Sequence, residues 1–255
     1  MTTYGILGVG SLASFVVTGL CDGVDDPPEV VLSPRNAGVA GGLAATYPTV
    51  TVAEDNQAVL DGADVVLVLL RRQHCDALLE LTWRPEHVVV SAVAGLPLAE
   101  LADLVRPARE VARAVAMPAA ATRSFRTPVH PPVPAVLSLF ERLGGALPIT
   151  DGAQFEAIYT SMGTFAPFFE YLTVLSDFLV DHGVPAADAQ QLLAATFVDV
   201  ARPLSRPTPD LAEIVREYAP PGGGNEQLTT LMREEGVFDG MRRALDAVHE
   251  RLSGR

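Results

Sequence analysis

The first half of the chain alternates between short apolar runs and stretches with the spacing of an amphipathic helix. The runs 63–70 and 87–93 are almost continuously apolar, which is typical of strands buried on both faces of a parallel sheet. This strand–helix alternation predicts a doubly wound α/β fold. The predicted strands are 4–8, 29–32, 49–52, 63–70, 87–93 and 111–115, and the predicted helices are 11–21, 37–46, 75–81 and 98–104.

The pattern changes in the middle of the chain. The segment 118–134 is rich in Pro, Ala and Thr, and it is predicted to be an extended edge strand or a loop. A helix over 135–143 and a strand over 145–150 follow, and only helical spacing remains after them. The sequence therefore predicts two domains, 1–150 with the sheet and 151–255 all helical. The predicted helices of the second domain are 154–182, interrupted near 163–167, then 188–201, 210–218, 225–235 and 238–252.

Composition and charge exclude several classes of function. Hydrophobic residues make up 49% and charged residues 19% of the chain, as in ordinary globular proteins. The net charge of −13 argues against nucleic acid or an anionic membrane as a partner. The sequence contains no lysine, which excludes Schiff-base chemistry and Walker-type phosphate binding. No cluster of side chains has the spacing of metal ligands, so no metal is expected.

A cytoplasmic location is expected. Cys21 and Cys75 have no CxxC spacing, which favours a reduced intracellular protein. No charged-then-apolar leader precedes the first predicted strand, and no apolar run approaches about 18 residues.

A glycine motif follows the first predicted strand and opens the first predicted helix. The stretch GVGSLA begins at Gly8 and has the pattern G-x-G-x-x-G/A. Gly8 is expected to make the tight turn, Gly10 to let a pyrophosphate approach the backbone, and Ala13 to let the helix pack closely on the strand. The helix N-terminus at Ser11 and Leu12 would offer N–H groups to the phosphates. In this context the motif predicts a dinucleotide-binding domain of Rossmann type. The alternative is a glycine-rich turn without a ligand.

The end of the second predicted strand bears on which dinucleotide is bound. A site that prefers NAD usually carries Asp or Glu there, to bind the ribose hydroxyls. This chain has Ser33, Arg35 and Asn36 instead. A hydroxyl, a guanidinium and an amide suit a 2′-phosphate, so NADP is predicted over NAD. In the alternative interpretation Arg35 is a solvated surface residue.

Taken together, these motifs resemble pyrroline-5-carboxylate reductase over nearly the whole chain. The segments that carry the resemblance are GVGSLA, SPRN, DNQAVLDGADVVLVLL, VVVSAVAG, PPGGGNEQ and EEGVFDGMRRALDAV, in this order. The resemblance implies a dinucleotide domain followed by a helical domain whose long helices interlock with a second subunit, so a homodimer is expected. It also implies an active site between the cofactor domain of one subunit and the helices of the other, and a role in proline biosynthesis.

The resemblance assigns further residues to the cofactor. It implies that Asn56 contacts the adenosine end, and that backbone around Leu69, Leu70, Ala92 and Ala94 lines the ribose and nicotinamide. From the sequence alone, Asn56 is equally well explained as the N-cap of a helix.

The loop Gly222–Gly223–Gly224 and Asn225 correspond to a family loop that reads roughly Ser-Pro-Gly-Gly-x-Thr. In the family the loop N–H groups hold the substrate carboxylate, and the hydroxyl meets the ring nitrogen. Glycines suit this task because they expose backbone donors at close range. Asn225 would present an amide in place of the hydroxyl. The alternative is a flexible turn in which Asn225 is the N-cap of the next helix.

The chain departs from the family mainly around the expected substrate. Met117 aligns, but the Asn-Thr-Pro that follows in the family is replaced here by alanines. The family's Gly-Ser-Gly-Pro-Ala-Tyr kink is altered around Thr164, Phe168 adds apolar character together with its neighbours, and Arg71-Arg72 replaces a Lys-Pro pair. We therefore expect a reductase of the same architecture with an altered substrate pocket, which includes Met117 and Phe168.

The expected reaction is the NADPH-dependent reduction of the C=N bond of a small cyclic imine that bears a carboxylate. An iminium needs no strong acid, only a hydrogen-bond partner at nitrogen, and Asn225 and Thr164 are the candidates. A ketone substrate would need a stronger proton donor, and His130 is a weak candidate. Two alternatives stay open: an NADP-binding oxidoreductase with a ketone or deazaflavin substrate, and a cofactor-binding dimer that has lost catalysis.

Overall fold

An eight-stranded sheet organises the N-terminal part of this computed structural model, which describes residues 2–206 and 208–252. The strands are β1 (Tyr4–Leu7), β2 (Val30–Leu32), β3 (Val50–Val52), β4 (Val65–Val68), β5 (Val88–Ser91), β6 (Glu110–Ala114), β7 (Thr127–His130) and β8 (Ala146–Pro148). Their order is β3-β2-β1-β4-β5-β6-β7-β8, and every pair is parallel except β6 with β7. The predicted doubly wound sheet is confirmed.

The apolar runs form strands because both faces of the sheet are covered. All four residues of β1, β4 and β5 are buried. Helices α1 (Ser11–Cys21), α2 (Ala37–Thr46) and α5 (Pro134–Arg142) contribute to the core on one face. Helices α3 (Asn56–Gly62) and α4 (Leu98–Leu104) contribute to the other, together with a 3-10 helix over Arg72–Glu80.

Helix α3 is the element that the sequence pattern does not reveal, because its seven residues span too few turns to show a period. Asp55 is its N-cap, and the Asp55 carboxylate accepts the N–H of Ala58 at 2.8 Å. The interpretation of Asn56 as the N-cap is therefore wrong. Asn56 is the first residue inside the helix and is half-buried.

The proline-rich segment contains a strand, but not at the edge of the sheet. β7 lies between β6 and β8, so the edge prediction is wrong, and β8 is the edge strand on this side of the sheet. Pro128 removes one N–H donor from the ladder, while its carbonyl accepts the N–H of Val115 at 3.1 Å. The antiparallel return to β6 is a tertiary feature that local composition cannot reveal.

The chain divides into two compact units between Ile158 and Tyr159. This division falls inside helix α6 (Gly152–Ser161), later than the predicted boundary at 150/151. The physical reason lies in the first turns of α6, where Phe155 is fully buried and Glu156 pairs with Arg113 of β6. The Arg113 guanidinium lies 4.9 Å from the centre of the Phe155 ring. The predicted domain limits at residues 1 and 255 lie outside the described residues.

The second unit consists of helices, as predicted. After α6 come α7 (Phe165–Asp181), α8 (Ala186–Val200), α9 (Leu211–Tyr218), α10 (Gly224–Glu234) and α11 (Val237–Leu252). A 3-10 turn over Met162–Thr164 forms the interruption expected between α6 and α7. Helices α7 and α10 are followed two residues later by Gly183 and Gly236, whose φ angles of +88° and +68° are in the left-handed conformation that stops a helix.

These helices bury few of their side chains within one chain. Of the described residues after Ile158, Thr160 and Ala189 are buried, and the others keep part of their surface in contact with solvent. Large apolar side chains stay in contact with solvent, and Val198 is 76%, Phe169 64% and Val174 61% exposed. Exposed apolar side chains in such number are typical of an interaction site.

Two of the histidines at element ends have structural roles. His87 is buried, and its Nδ1 accepts the backbone N–H of Arg84 at 3.0 Å. Burial lowers the pKa of His87, and the Arg84 guanidinium lowers this pKa further, which favours the neutral form of the ring. His182 lies at the end of α7, where its Nδ1 is 2.7 Å from the Phe178 carbonyl oxygen.

Across the described ranges, every helix is too short or too polar to cross a membrane.

Candidate functional site

The predicted cofactor residues lie together at the carboxyl ends of the parallel strands, and this end of the sheet is called the carboxyl edge below. Strands β1 and β4 are neighbours, and the chain winds outward from them in both directions. Ligands of open α/β sheets bind at such a switch point, outside the carboxyl ends of the strands. The positions that follow a strand at this edge are Gly8, Gly10, Ser11 and Leu12 after β1, Ser33, Arg35 and Asn36 after β2, Asn56 after β3, Leu69 and Leu70 after β4, Ala92 and Ala94 after β5, and Met117 after β6.

Gly8 makes the turn out of β1 in a conformation that suits glycine. Its φ is +95°, a region that residues with a Cβ rarely adopt. A Cβ added there would lie 2.8 Å from the carbonyl carbon and oxygen of Leu69 and 2.9 Å from the nitrogen of Leu70. The turn therefore lies directly against the backbone at the end of β4.

Ser33, the first residue after β2, stabilises the Gly8 turn through its side chain. It is 1% exposed, and its hydroxyl oxygen accepts the Gly8 N–H at 3.1 Å. The structure thus gives Ser33 a positioning role under the turn. Its contact with a 2′-phosphate stays a prediction.

Gly10 and the start of α1 leave open space for a ligand. Gly10 is the N-cap of α1, no side chain caps this end, and a Cβ added at Gly10 would meet nothing within 4 Å. Ser11 is exposed and Leu12 half-buried. The first N–H groups of a helix have no partner within the helix, so this end can bind a phosphate.

The predicted 2′-phosphate residues lie at the start of α2. Arg35 and Asn36 are both exposed. Asn36 is the N-cap position of α2, yet its amide makes no capping hydrogen bond. Within the described part of the chain, the Arg35 guanidinium has no carboxylate close enough for an ion pair.

The loops after β4 and β5 are tied to each other by Arg72. Its Nε donates to the Gly95 carbonyl oxygen at 3.3 Å, and its guanidinium also pairs with Glu100 in the first turn of α4. Between these loops and their strands, Leu69, Leu70 and Ala92 are half-buried, while Ala94 is exposed.

The alanine-rich segment after Met117 is held against the C-terminal half of α1. Arg123 donates from Nε to the Gly19 carbonyl oxygen at 2.8 Å and also to the Asp22 carbonyl oxygen. A Cβ at Gly19 would lie 2.1 Å from the Ala120 carbonyl oxygen, so the approach is close. The segment that lacks Asn-Thr-Pro is thus well packed, and Met117 is half-buried at its start.

In the second unit, three predicted residues line a single cavity of about 1000 Å³. They are Thr164, Phe168 and Asn225, which come from the 3-10 turn, α7 and α10. Of the described residues that line the cavity, none carries a formal charge. The lining includes six aromatic side chains, Phe165, Phe168, Tyr171, Phe197, Tyr218 and Phe238.

The triple-glycine loop is held by hydrogen bonds within the chain. Gly222 has a φ of +79°, and its N–H donates to the Glu226 carboxylate at 2.7 Å. The Gly223 N–H donates to the Pro220 carbonyl oxygen at 3.0 Å. Gly223 is the N-cap of α10, so the interpretation of Asn225 as the N-cap is wrong. The sequence analysis does not predict this contact of Glu226, although a Glu three residues after an N-cap commonly accepts a hydrogen bond from the backbone before the helix.

The side chains of Asn225 and Thr164 are oriented by neighbouring carbonyl groups. Asn225 Nδ2 donates to the Tyr218 carbonyl oxygen at 2.8 Å, and Thr164 Oγ1 donates to the Ser161 carbonyl oxygen at 2.8 Å. Each side chain therefore keeps an oxygen that can accept a hydrogen bond from a ligand.

Other chemistry finds little support in the residues that the structure describes. His130 lies with its Nδ1 3.0 Å from the Ile149 carbonyl oxygen and its ring 5.7 Å from that of Phe155, which is a structural role. Within 2–206 and 208–252, no three His, Cys, Asp or Glu side chains come together as metal ligands.

Comparison with known proteins covers both units. The family described as "NADP oxidoreductase coenzyme F420-dependent" matches residues 3–95, and the family described as "Pyrroline-5-carboxylate reductase dimerisation" matches residues 153–254. The pyrroline-5-carboxylate reductase of Pseudomonas aeruginosa is 25% identical over 260 residues, which cover 96% of this chain and 93% of the relative. The chain is thus similar to pyrroline-5-carboxylate reductases over nearly its whole length, and its helical unit matches their dimerisation family.

Solved structures of pyrroline-5-carboxylate reductases have the same fold as this chain. The 1-pyrroline-5-carboxylate reductase of Streptococcus pyogenes superposes with a TM-score of 0.81 at 21% identity, covering 100% of this chain and 99% of that chain. The pyrroline carboxylate reductase of Plasmodium falciparum, solved with NADP bound, has a TM-score of 0.74 at 13% identity and covers 99% and 97%. The low identities make this chain a divergent relative of these reductases.

The two motif glycines, Gly8 and Gly10, are expected to differ in their effect on the stability of the protein. Gly8→Ala places a Cβ on backbone atoms at positive φ, so the free energy of unfolding should fall by more than about 2 kcal/mol. Gly10→Ala meets nothing and should change it by less than about 1 kcal/mol. Chemical denaturation of the two variants beside the parent protein measures both values. Equal losses would contradict the geometry described for Gly8.

Proposed function

We propose that this protein is an NADPH-dependent oxidoreductase that reduces the C=N bond of a small cyclic imine. The observation that carries the proposal is the glycine turn at the switch point of the sheet, in a chain similar to pyrroline-5-carboxylate reductases. The open space at Gly10 and the uncapped start of α1 fit a dinucleotide pyrophosphate. The cytoplasmic location predicted from the sequence stays a prediction.

NADP is proposed over NAD because of the residues at the start of α2. A 2′-phosphate next to Arg35 and Asn36 would meet one cation and one uncommitted amide. No carboxylate takes the position where NAD-binding domains usually bind the ribose hydroxyls.

The proposed reaction needs no strong acid or base from the protein. Bound NADPH would supply the hydride, and the protein would supply position and electrostatics. A protonated imine presents an N–H donor, and the oxygens of Asn225 and Thr164 are oriented to accept it. Phe168 and Met117 are proposed to contact the apolar part of the substrate. A ketone substrate would instead need a proton donor such as Tyr171 or Tyr218, the titratable groups among the described cavity residues.

The helical unit is proposed to form a homodimer. The match to the reductase dimerisation family covers this unit, and much of its apolar surface is exposed in one chain. Val198 lies two residues from Val200, so it projects from the opposite side of α8 to the cavity lining. The exposed side chains outside the cavity are proposed to be covered by the second copy. They include Phe169, Val174, Phe178, Leu192 and Val198.

Turnover tests the proposed reaction and the role of Asn225 together. The protein should oxidise NADPH with at least one member of a panel of cyclic imines, measured by the loss of nicotinamide absorbance. Asn225→Ala removes the oriented acceptor and should lower kcat at least about tenfold, with NADPH affinity nearly unchanged. Oxidation with ketones or flavin analogues alone would favour the other oxidoreductase class. Cofactor binding without any turnover would favour a catalytically degenerate dimer.

Nucleotide preference tests Arg35. Arg35→Ala removes a charge-assisted contact to the 2′-phosphate, so NADPH affinity should fall about 10- to 100-fold while NADH affinity changes little. Fluorescence titration of the two nucleotides measures both constants. Arg109→Ala provides the control. Arg109 lies just before β6 and therefore at the amino ends of the parallel strands, away from the candidate cofactor site. Equal losses for NADPH and NADH would refute the assignment.

Assembly tests the proposed dimer surface. Val198→Arg would bury a charge in the interface and should shift the protein from dimer to monomer at micromolar concentration. Leu79→Arg is the matched control, because Leu79 is 65% exposed in the first unit. Sedimentation equilibrium distinguishes the two species. A Val198→Arg protein that stays dimeric with unchanged affinity would contradict the proposed surface.

A further inference from the structure

Residues 117–124, called the Met117 turn below, include a residue in a strained backbone conformation. The φ of Arg123 is +52°, whereas the other positive φ angles in the described part of the chain belong to glycines. This left-handed conformation is unfavourable for a residue with a Cβ, so the surrounding contacts must hold Arg123 in it. Strain of this kind is often found where a segment has a task in binding or catalysis.

Two glycines leave room for the Met117 turn against the rest of the first unit. A Cβ added at Gly19 of α1 would collide with the Ala120 carbonyl oxygen. A Cβ added at Gly144 would lie 2.5 Å from the carbonyl carbon and oxygen of Arg123. Ala120 itself is 4% exposed and belongs to the same core as the buried side of α1. Because both close contacts involve backbone atoms, the position of the turn is fixed from two sides.

The Arg123 side chain binds the C-terminal end of α1. Its guanidinium donates to the carbonyl oxygens of Gly19 and Asp22. Carbonyl groups at a helix C-terminus lack partners within the helix, and a cation there also interacts favourably with the helix dipole. An anion has the same favourable effect at the helix N-terminus. Arg123 and a phosphate bound at Gly10 would therefore stabilise one helix from its two ends.

Backbone hydrogen bonds connect Arg123 to Met117, which follows β6 at the carboxyl edge. The Arg123 N–H donates to the Ala120 carbonyl oxygen at 3.2 Å, and the Ala120 N–H donates to the Met117 carbonyl oxygen at 3.0 Å. The Ser124 N–H donates to the Ala119 carbonyl oxygen at 3.2 Å. The turn is therefore one hydrogen-bonded unit, and a displacement of Arg123 would extend to Met117.

We propose that Arg123 is a positioning residue that couples dinucleotide binding at the start of α1 to the position of Met117 beside the substrate. This inference rests on the proposed function, in which the phosphates bind at Gly10 and Met117 contacts the substrate. Bound phosphates stabilise α1, the Arg123 guanidinium holds the end of that helix, and the Met117 turn becomes more ordered in consequence. Because such coupling is reciprocal, an ordered turn also favours the bound dinucleotide.

Hydrogen exchange in the Met117 turn tests the coupling without any need for turnover. The exchange rates of the Ala120, Arg123 and Ser124 amides would be measured by NMR with and without saturating NADP⁺. We expect NADP⁺ to slow exchange of these amides at least about tenfold in the parent protein, and less than about twofold in Arg123→Gly. Unchanged exchange in the parent protein while NADP⁺ binds would overturn the inference.

Arg123→Gly separates a positioning role from a purely structural one. Glycine adopts a φ of +52° without strain, so this variant loses the guanidinium and is not expected to lose stability through its backbone. With an imine that the protein reduces, kcat should fall at least about tenfold, while NADPH affinity should change less than about threefold. An unchanged kcat, or a fall in kcat accompanied by an undiminished effect of NADP⁺ on exchange, would overturn the role of Arg123.

Two further variants serve as controls. Arg126→Ala removes an exposed guanidinium from the same segment, but this guanidinium binds the Ala146 carbonyl oxygen of β8 instead of α1. It should leave both kcat and the effect of NADP⁺ on exchange within about twofold of the parent values. Arg123→Lys keeps a cation at the end of α1 and should give values between those of the parent protein and Arg123→Gly.

The outcomes also separate this inference from the proposed function. Slower exchange with NADP⁺ in a protein that reduces no imine supports the coupling and contradicts the reductase activity. Imine reduction in a protein whose turn exchanges equally fast with and without NADP⁺ supports the reductase and contradicts the coupling. Failure of NADP⁺ to bind would contradict both.

Discussion

The contact between Gly8 and the backbone at the end of β4 is the constraint on which the candidate cofactor site depends. It fixes where the chain leaves β1, at the point where the sheet winds in two directions. The buried hydroxyl of Ser33 binds the Gly8 N–H and links the same turn to the end of β2. Three strand ends are therefore held together before any ligand is present, and the start of α1 has a fixed place beside them. Because these strand ends are already ordered, a dinucleotide can bind at them with little loss of conformational entropy by the protein.

The helical unit obeys a different constraint, because its helices cannot bury their apolar faces within one chain. Part of the apolar surface encloses the cavity that contains Thr164, Phe168 and Asn225, and part lies outside it. The dimerisation family to which this unit belongs explains why evolution tolerates so much exposed apolar area. The two surfaces have separate tasks in our account, one for the substrate and the other for the second copy.

Much of the N-terminal unit could be predicted from the sequence. Helices α1, α2 and α4 have the predicted bounds, and the buried strands are continuously apolar, although β4 is four residues shorter than predicted and the predicted helix 75–81 is a 3-10 helix. Helix α3 is too short to show a period, and the interior place of β7 depends on an antiparallel return that no local signal encodes. The glycine motif was found because its residue types and its place between strand and helix are both specific.

The candidate substrate site could be predicted only in part. Asn225, Thr164 and Phe168 follow from the family resemblance, and the structure brings them to one cavity. The Glu226–Gly222 hydrogen bond and the uncharged lining depend on how α7 to α11 pack, which the sequence pattern does not determine. Ser33 illustrates the limit, because the sequence does not reveal that its hydroxyl accepts the Gly8 N–H, and its contact with a phosphate stays a prediction. For Asn225, the alternative role as a helix cap is wrong because Gly223 is the cap, and its role at the substrate stays a prediction.

Transfer of deuterium is the most direct measurement of the central claim, that this protein moves a hydride from NADPH to the carbon of a C=N bond. The protein would be incubated with a cyclic imine and NADPH that carries deuterium at both C4 positions of the nicotinamide, and the amine product would be examined by NMR. Our account predicts one deuterium at the former imine carbon and none elsewhere in the ring. Product without deuterium at that carbon, or no product with any imine while NADPH is bound, would contradict it.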